Sequence, residues 1–118
     1  MLSELAKVWI TLVEPTTNSM ISSTVISGAL EVVIEVDSLD ASNAAEAKNT
    51  LKDLDLQGQD RVVLNLEKVE FIDSSGIGAL LSYYKQLNQK VSIRRPTATV
   101  LSVLELLRLH RVFEIEPE

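Results

Sequence analysis

The chain has 118 residues, 46% hydrophobic and 24% charged, with a formal net charge of −6 and no cysteine. That length suits one compact domain, the composition is that of an ordinary globular protein and excludes a disordered or collagen-like chain, and the lack of cysteine excludes disulfides, zinc ribbons, iron–sulfur clusters and thiol catalysis. Its apolar runs fall far short of the roughly 18–20 residues that cross a bilayer, and Glu4 interrupts the place where a secretory signal would begin its apolar core. The expectation is a cytoplasmic protein with no membrane insertion. Most of the charge lies between Met20 and Asp60, where eight carboxylates face two lysines, a stretch that repels a nucleic-acid backbone.

In chain order, residues 1–19 admit two readings. Leu2, Leu5, Trp9 and Leu12 share a helical face, while Val8 to Val13 also reads as a β-branched strand. The polar, turn-forming run Pro15-Thr16-Thr17-Asn18-Ser19 then separates this extension from a domain expected over residues 20–118. A strand near Thr24–Ser27, a turn at Gly28-Ala29 and a strand over Leu30–Val36 read as a hairpin. Asp40 or Ser42 then caps a helix from Ala41 to about Leu56, with Ala44, Ala47, Leu51 and Leu54 on one face and Gly58 past its end. Arg61 to Leu66 is short, apolar and β-branched, the pattern of a central strand buried on both faces, which implies helices above and below it.

Asp73 or Ser74 caps a second helix whose stripe is Ile77, Leu80, Leu81, Tyr84 and Leu87. Val91-Ser92-Ile93 is a further short strand, Pro96-Thr97 opens a third helix with core face Val100, Val103, Leu104 and Leu107, and Val112 to Ile115 is an edge strand. The order predicts a single α/β domain: an initial β-hairpin, then alternating helices and strands, giving a mixed, largely parallel sheet with helices packed on it.

The most informative segment runs from Val69 to Leu81, because it places Asp73, Ser74, Ser75 and Gly76 at a junction of loop and helix. The first turn of a helix presents unpaired backbone N–H groups and the positive end of the macrodipole, so a phosphate on Ser74 would be favoured there. The same residues also suit a plain N-cap, the more usual role of Asp and Ser at this position, with Gly76 and Gly78 allowing close approach of the helix to the sheet.

Leu64-Asn65-Leu66 through Phe71-Ile72-Asp73-Ser74-Ser75-Gly76-Ile77-Gly78 to Leu81 resembles the signature of the STAS domain of anti-sigma-factor antagonists. Leu39-Asp40-Ala41-Ser42 resembles the loop before that family's first helix, and Val103 to Phe113 its last helix and tail; the likeness spans about residues 20–116, with Asp37 standing where many members have glycine. The resemblance implies a non-enzymatic switch. The unphosphorylated chain binds an anti-sigma factor with serine kinase activity and so frees the sigma factor. Phosphorylation of Ser74, with Ser75 as second choice, ends the binding, and a phosphoserine phosphatase resets it. It also implies a phosphate environment of Asp73, Ser75 and Gly76, a partner-binding surface of Asp40, Ser42, Asn43, Asp73 and Ile77, and no cofactor, since ATP belongs to the kinase. A second reading keeps the fold and makes the chain a permanent subunit of a larger assembly, such as a stress-signalling scaffold or a lipid-transport complex.

A third reading, a small hydrolase, meets opposing residues. A nucleophile elbow of the Gly-x-Ser-x-Gly kind is missing, since Ile72 stands two positions before Ser74. The one histidine, His110, follows the third helix, where the helix dipole accounts for it. No Gly-x-x-x-x-Gly-Lys phosphate loop occurs. Lys85, Lys90, Arg94, Arg95, Arg108 and Arg111 enrich the second half in positive charge, but a net −6 and 4% aromatic residues support no nucleic-acid surface.

Overall fold

A computed structural model describes residues 20–116; both readings of residues 1–19 lie outside them. The opening hairpin pairs β1 (Ile21–Ile26) with β2 (Ala29–Ile34), Ile21 opposite Ile34 and Ile26 opposite Ala29. Its turn is Ser27-Gly28 and not Gly28-Ala29, because the left-handed conformation needed there falls on Gly28, at φ +81°. There follow β3 (Ser38–Leu39), α1 (Ala44–Lys52), β4 (Val62–Asn65), β5 (Phe71–Ile72), α2 (Ser74–Gln86), β6 (Val91–Arg94), α3 (Ala98–Leu106), a 3-10 turn at Leu109–Arg111 and β7 (Glu114–Glu116).

Five strands form one sheet in the order β1-β2-β4-β6-β7, with β1 antiparallel to β2 and every other neighbour parallel, so β7 is an edge strand as expected. Because successive parallel strands are added in one direction, right-handed crossovers put α1, α2 and α3 on the same face. The core forms there: Leu30, Val32 and Ile34 of β2, Leu64 of β4 and Ile93 of β6 meet Ala47 and Leu51 of α1, Leu80 and Tyr83 of α2, and Val100 and Leu104 of α3.

The helices expected above and below the central strand are therefore corrected. All four residues of β4 are buried, yet among the described residues the three helices cover only one face.

Two strands, β3 and β5, were not predicted. They pair in parallel as a separate two-stranded sheet, Leu39 beside Ile72, and two residues are too few to show a period. The first helix is shorter than Ala41–Leu56. Its N-cap is Asn43, without a side-chain cap bond, and neither Asp40 nor Ser42. Asp40 acts a turn earlier, its carbonyl accepting from the N–H of Asn43 and Ala44 at 3.1 and 2.8 Å. After Lys52 the chain leaves the helix but still buries Leu54, and positive φ at Gln57 (54°) and Gly58 (82°) turns it toward β4.

Tyr83, and not Tyr84, is the fully buried aromatic residue of α2, and Leu107, expected in the core, is 50% exposed, because it lies past the last turn of α3. Pro96-Thr97 leads into α3 as expected, with Thr97 as its N-cap: its Oγ1 accepts from Val100 N–H and donates to the Val69 carbonyl at 2.8 Å.

Candidate functional site

The parallel strands run toward the loops that carry Asp37–Asn43 and Asp73–Ser75, so these two segments meet at one end of the sheet. The small β3–β5 sheet joins them. Glu70 and Phe71 donate their N–H groups to the Asp37 carbonyl at 2.7 and 3.2 Å, and Asp73 donates to the Leu39 carbonyl at 3.3 Å. Asp73 then serves both segments with one carboxylate. Its Oδ1 accepts from the N–H of Ser75 (2.9 Å) and Gly76 (3.1 Å), capping α2, and its Oδ2 accepts from the N–H of Ala41 (3.2 Å) in the other loop.

Asp40, Ser42 and Asn43 form a hydrogen-bonded turn beside it. Asp40 Oδ2 accepts from Ser38 Oγ at 2.6 Å, and Oδ1 accepts from Ser42 Oγ and N–H at 2.5 and 2.9 Å. Donation from the Ser38 hydroxyl, then from Ser42, holds the Asp40 carboxyl below the ordinary range of an aspartate. Asn43 completes the turn, accepting from Asp40 N–H at 3.0 Å and donating to the Ser38 carbonyl at 2.8 Å.

Gly76 is required where it stands. A Cβ there would strike the Leu39 carbonyl oxygen and come within 2.8 Å of Ile72 Cγ1, so the glycine lets the head of α2 lie against the β3–β5 pair. Gly78 has no such role, since a Cβ at that position meets open space.

The structure thus brings Asp40, Ser42, Asn43, Asp73, Ser74, Ser75 and Gly76 to one end of the molecule. One expectation is corrected: Ile77, which the resemblance put on the partner-binding surface, is 5% exposed and packs in the core, as the helical stripe predicts. The N–H groups of Ser75 and Gly76, two of the first-turn donors, bind Asp73 Oδ1. Ser74 and Ser75 themselves are exposed.

Two surface features that the sequence reading missed flank the site. An open cleft of about 620 Å³ is lined by Glu35, Asp37, Ser38, Asp40, Ser42 and Lys68. A smaller groove of about 290 Å³ between α1 and α2 is lined by Ala44, Lys48, Ser75, Gly78 and Ser82 among others. The small side chains at 44, 75, 78 and 82 are its only signal in the sequence, and it becomes legible only when the two helices are set side by side.

Elsewhere, half of the basic residues singled out above are engaged in ion pairs. Arg94 binds Glu31 and Glu116, each at 2.9 Å, Lys90 binds Asp60 at 3.1 Å and Arg95 faces Glu67 at 3.7 Å. His110 lies in the 3-10 turn after α3, at the end of the sheet away from Ser74. Among the described residues no group of three or more His, Asp or Glu side chains could hold a metal ion, and no helix is long and apolar enough to cross a membrane.

A hairpin followed by parallel crossovers, with an Asp-Ser-Ser-Gly turn capping the second helix, defines a small α/β module. The chain belongs to the STAS domain family, whose model matches residues 20–118. Among curated relatives, the anti-sigma F factor antagonist of Paenibacillus polymyxa is 36% identical over 58 residues, 49% of this chain and 50% of that protein. The chain thus matches about half the length of that curated relative.

Among solved structures, a candidate anti-sigma factor antagonist of Thermotoga maritima superposes with a TM-score of 0.70 at 25% identity, over 84% of this chain and 87% of that one. The Bacillus cell fate determinant SpoIIAA in its phosphorylated form superposes at 0.58 and 18% identity, over 83% of this chain and 92% of that one, a likeness of fold.

Proposed function

We propose that this chain is an anti-sigma factor antagonist that acts in the cytoplasm as a binding switch, not as an enzyme. The unphosphorylated form captures an anti-sigma factor that is also a serine kinase, and the sigma factor is freed. Phosphorylation of Ser74 ends the capture, and a phosphoserine phosphatase restores it.

The observation that carries this reading is the exposed Ser74 at the head of α2, next to a carboxylate that is clamped to the Asp40 loop. A phosphate on Ser74 adds about −1.5 to −2 charges beside Asp73 and close to the Asp40 turn. With the Ser75 and Gly76 N–H groups already bound by Asp73, the helix dipole is the main compensation, roughly 0.3–1 kcal/mol at an exposed site. Folding changes little, and the cost falls on the interface, where the charges must be desolvated together. A hundredfold loss of affinity needs about 2.8 kcal/mol.

The test is to incubate the chain with candidate anti-sigma kinases and ATP, locate the phosphate by mass spectrometry and titrate both forms against the kinase. Phosphate on Ser74 with a fall in affinity supports the switch. Phosphate confined to Ser75, or unchanged affinity after stoichiometric modification of Ser74, overturns it.

A further inference from the structure

We propose that the outer face of α3 pairs with the same face of a second copy of the chain, the two helices lying antiparallel about a two-fold axis near Ser102. The nine residues of α3 include six aliphatic side chains and a single charge, Glu105, whereas α1, of equal length, carries Glu46, Lys48 and Lys52. A helix so poor in charge normally lies inside a core, yet only Val100 and Leu104 of α3 are buried. Ala98, Ser102 and Leu106 recur every four residues along its outer side, and Leu106 is 81% exposed. Leu107 and Val112, both exposed, extend this apolar surface past the end of the helix, where the Tyr84 hydroxyl donates to the Val112 carbonyl at 3.0 Å.

The two ends of the face differ in charge. Past the C-terminal end, residues 106–113 hold Arg108, His110 and Arg111 and no acid. At the start, the bond from Thr97 Oγ1 to the Val69 carbonyl sets Glu70 and the 52% exposed Phe71 beside the first turn, and the Asp37 carbonyl accepts from the N–H of both. Arg108, Arg111, Asp37 and Glu70 are exposed, and none of them forms an ion pair among the described residues. Turned antiparallel about Ser102, two copies set Leu106 against the partner's Ala98, whose short side chain leaves room for it. The same turn brings Arg108 and Arg111 to the acidic end of the other copy. Each contact then occurs twice, so the interface closes on a dimer. A parallel arrangement would set like charges together at both ends.

Sedimentation equilibrium of the full chain should show a monomer and a dimer in exchange, with association weakened several-fold as salt screens the end charges. Leu106→Asp should lower the association constant by at least about tenfold, as loss of an interface anchor does, and leave circular dichroism and melting unchanged because the side chain is exposed. Arg108→Glu with Arg111→Glu in one protein, and Asp37→Lys with Glu70→Lys in another, should each stay monomeric alone, since like charges then meet at both ends. Mixed in equal amounts, the two should dimerise as the parent does. The chain has no cysteine, so Ser102→Cys supplies one thiol at the axis. With copper phenanthroline as oxidant it should join two copies by a disulfide, while Thr24→Cys, exposed on β1, should not; this arm holds even if a charge-reversed variant fails to fold. A monomer at every concentration up to the millimolar range overturns the proposal and leaves the face to a different protein. So does a dimer that survives Leu106→Asp, a mixture that associates no better than its parts, or a mass that climbs past two copies.

Discussion

Asp73 Oδ2 accepts a hydrogen bond from the backbone N–H of Ala41 at 3.2 Å, across 32 positions of sequence, while the other oxygen of the same carboxylate caps α2. One side chain therefore sets the start of a helix and its distance from the neighbouring loop. Removing it with Asp73→Ala should cost about 1–2 kcal/mol, the range for loss of an N-cap acceptor, and should speed hydrogen exchange at the Ala41 amide. Asp73→Asn keeps one carbonyl oxygen and should cost less. Urea midpoints and amide exchange check both, and unchanged exchange at Ala41 in Asp73→Ala would show that the clamp is not made in solution.

Two glycines of one helix should respond in opposite directions. Gly76→Ala forces a methyl group against the Leu39 carbonyl and should destabilise by about 1–3 kcal/mol, the usual penalty of overpacking. Gly76→Val should be worse, and Ser75→Ala, at an exposed position, nearly silent. Gly78→Ala adds its methyl to open space and should stabilise by roughly 0.5–1 kcal/mol through helix propensity. Thermal melts of the variants in one buffer decide the matter, and equal melting temperatures for the two alanine variants would contradict the packing argument.

At the proposed switch, Ser74→Asp should weaken partner binding by a fraction of the phosphate's effect, since it supplies one charge and less bulk. Ser74→Ala should bind like the unmodified chain and take no phosphate. Both should unfold at nearly the same denaturant concentration as the parent, because Ser74 is exposed. Calorimetric titration against the anti-sigma kinase separates the variants.

Tyr83 is buried, its hydroxyl has no hydrogen-bond partner among the described residues, and burial pushes its pKa up to about 12. The folded state thus holds the phenol neutral where the unfolded chain ionises it. This contribution to stability is complete below about pH 10, the ordinary tyrosine value, and is lost as the pH rises from there through about 12. Tyr83→Phe should be neutral or stabilising at pH 7, because no bond is lost, and its stability should fall less between pH 10 and 12. Parallel losses in the two proteins over that window would count against the burial effect.

The opposite sign applies to Asp40, whose carboxyl is held below the ordinary range by the Ser38 and Ser42 hydroxyls. Its stabilising effect is present above the usual aspartate pKa and disappears as the pH falls through the lowered value. Ser38→Ala removes the larger cause and should move the Asp40 titration back toward the ordinary value, as read by carbon-detected NMR. An unmoved titration would assign the shift elsewhere.

Periodicity was enough to read that α1, α2, α3 and the strands β1, β2, β4, β6 and β7 exist, though not where α1 begins and ends, because each helix buries a repeating set of side chains: Ala47 and Leu51, Ile77 and Leu80, Val100 and Leu104. The Asp-Ser-Ser-Gly turn was legible for the same local reason, since Asp73 caps the helix that it precedes. The sequence could not place Ala41 against Asp73 or carry Arg94 across β4 to Glu31. Those relationships link residues up to 63 positions apart and arise only from the order and register of the strands. That pairing, which no local spacing encodes, decides which carboxylate reaches which N–H and which face of the sheet the helices leave uncovered.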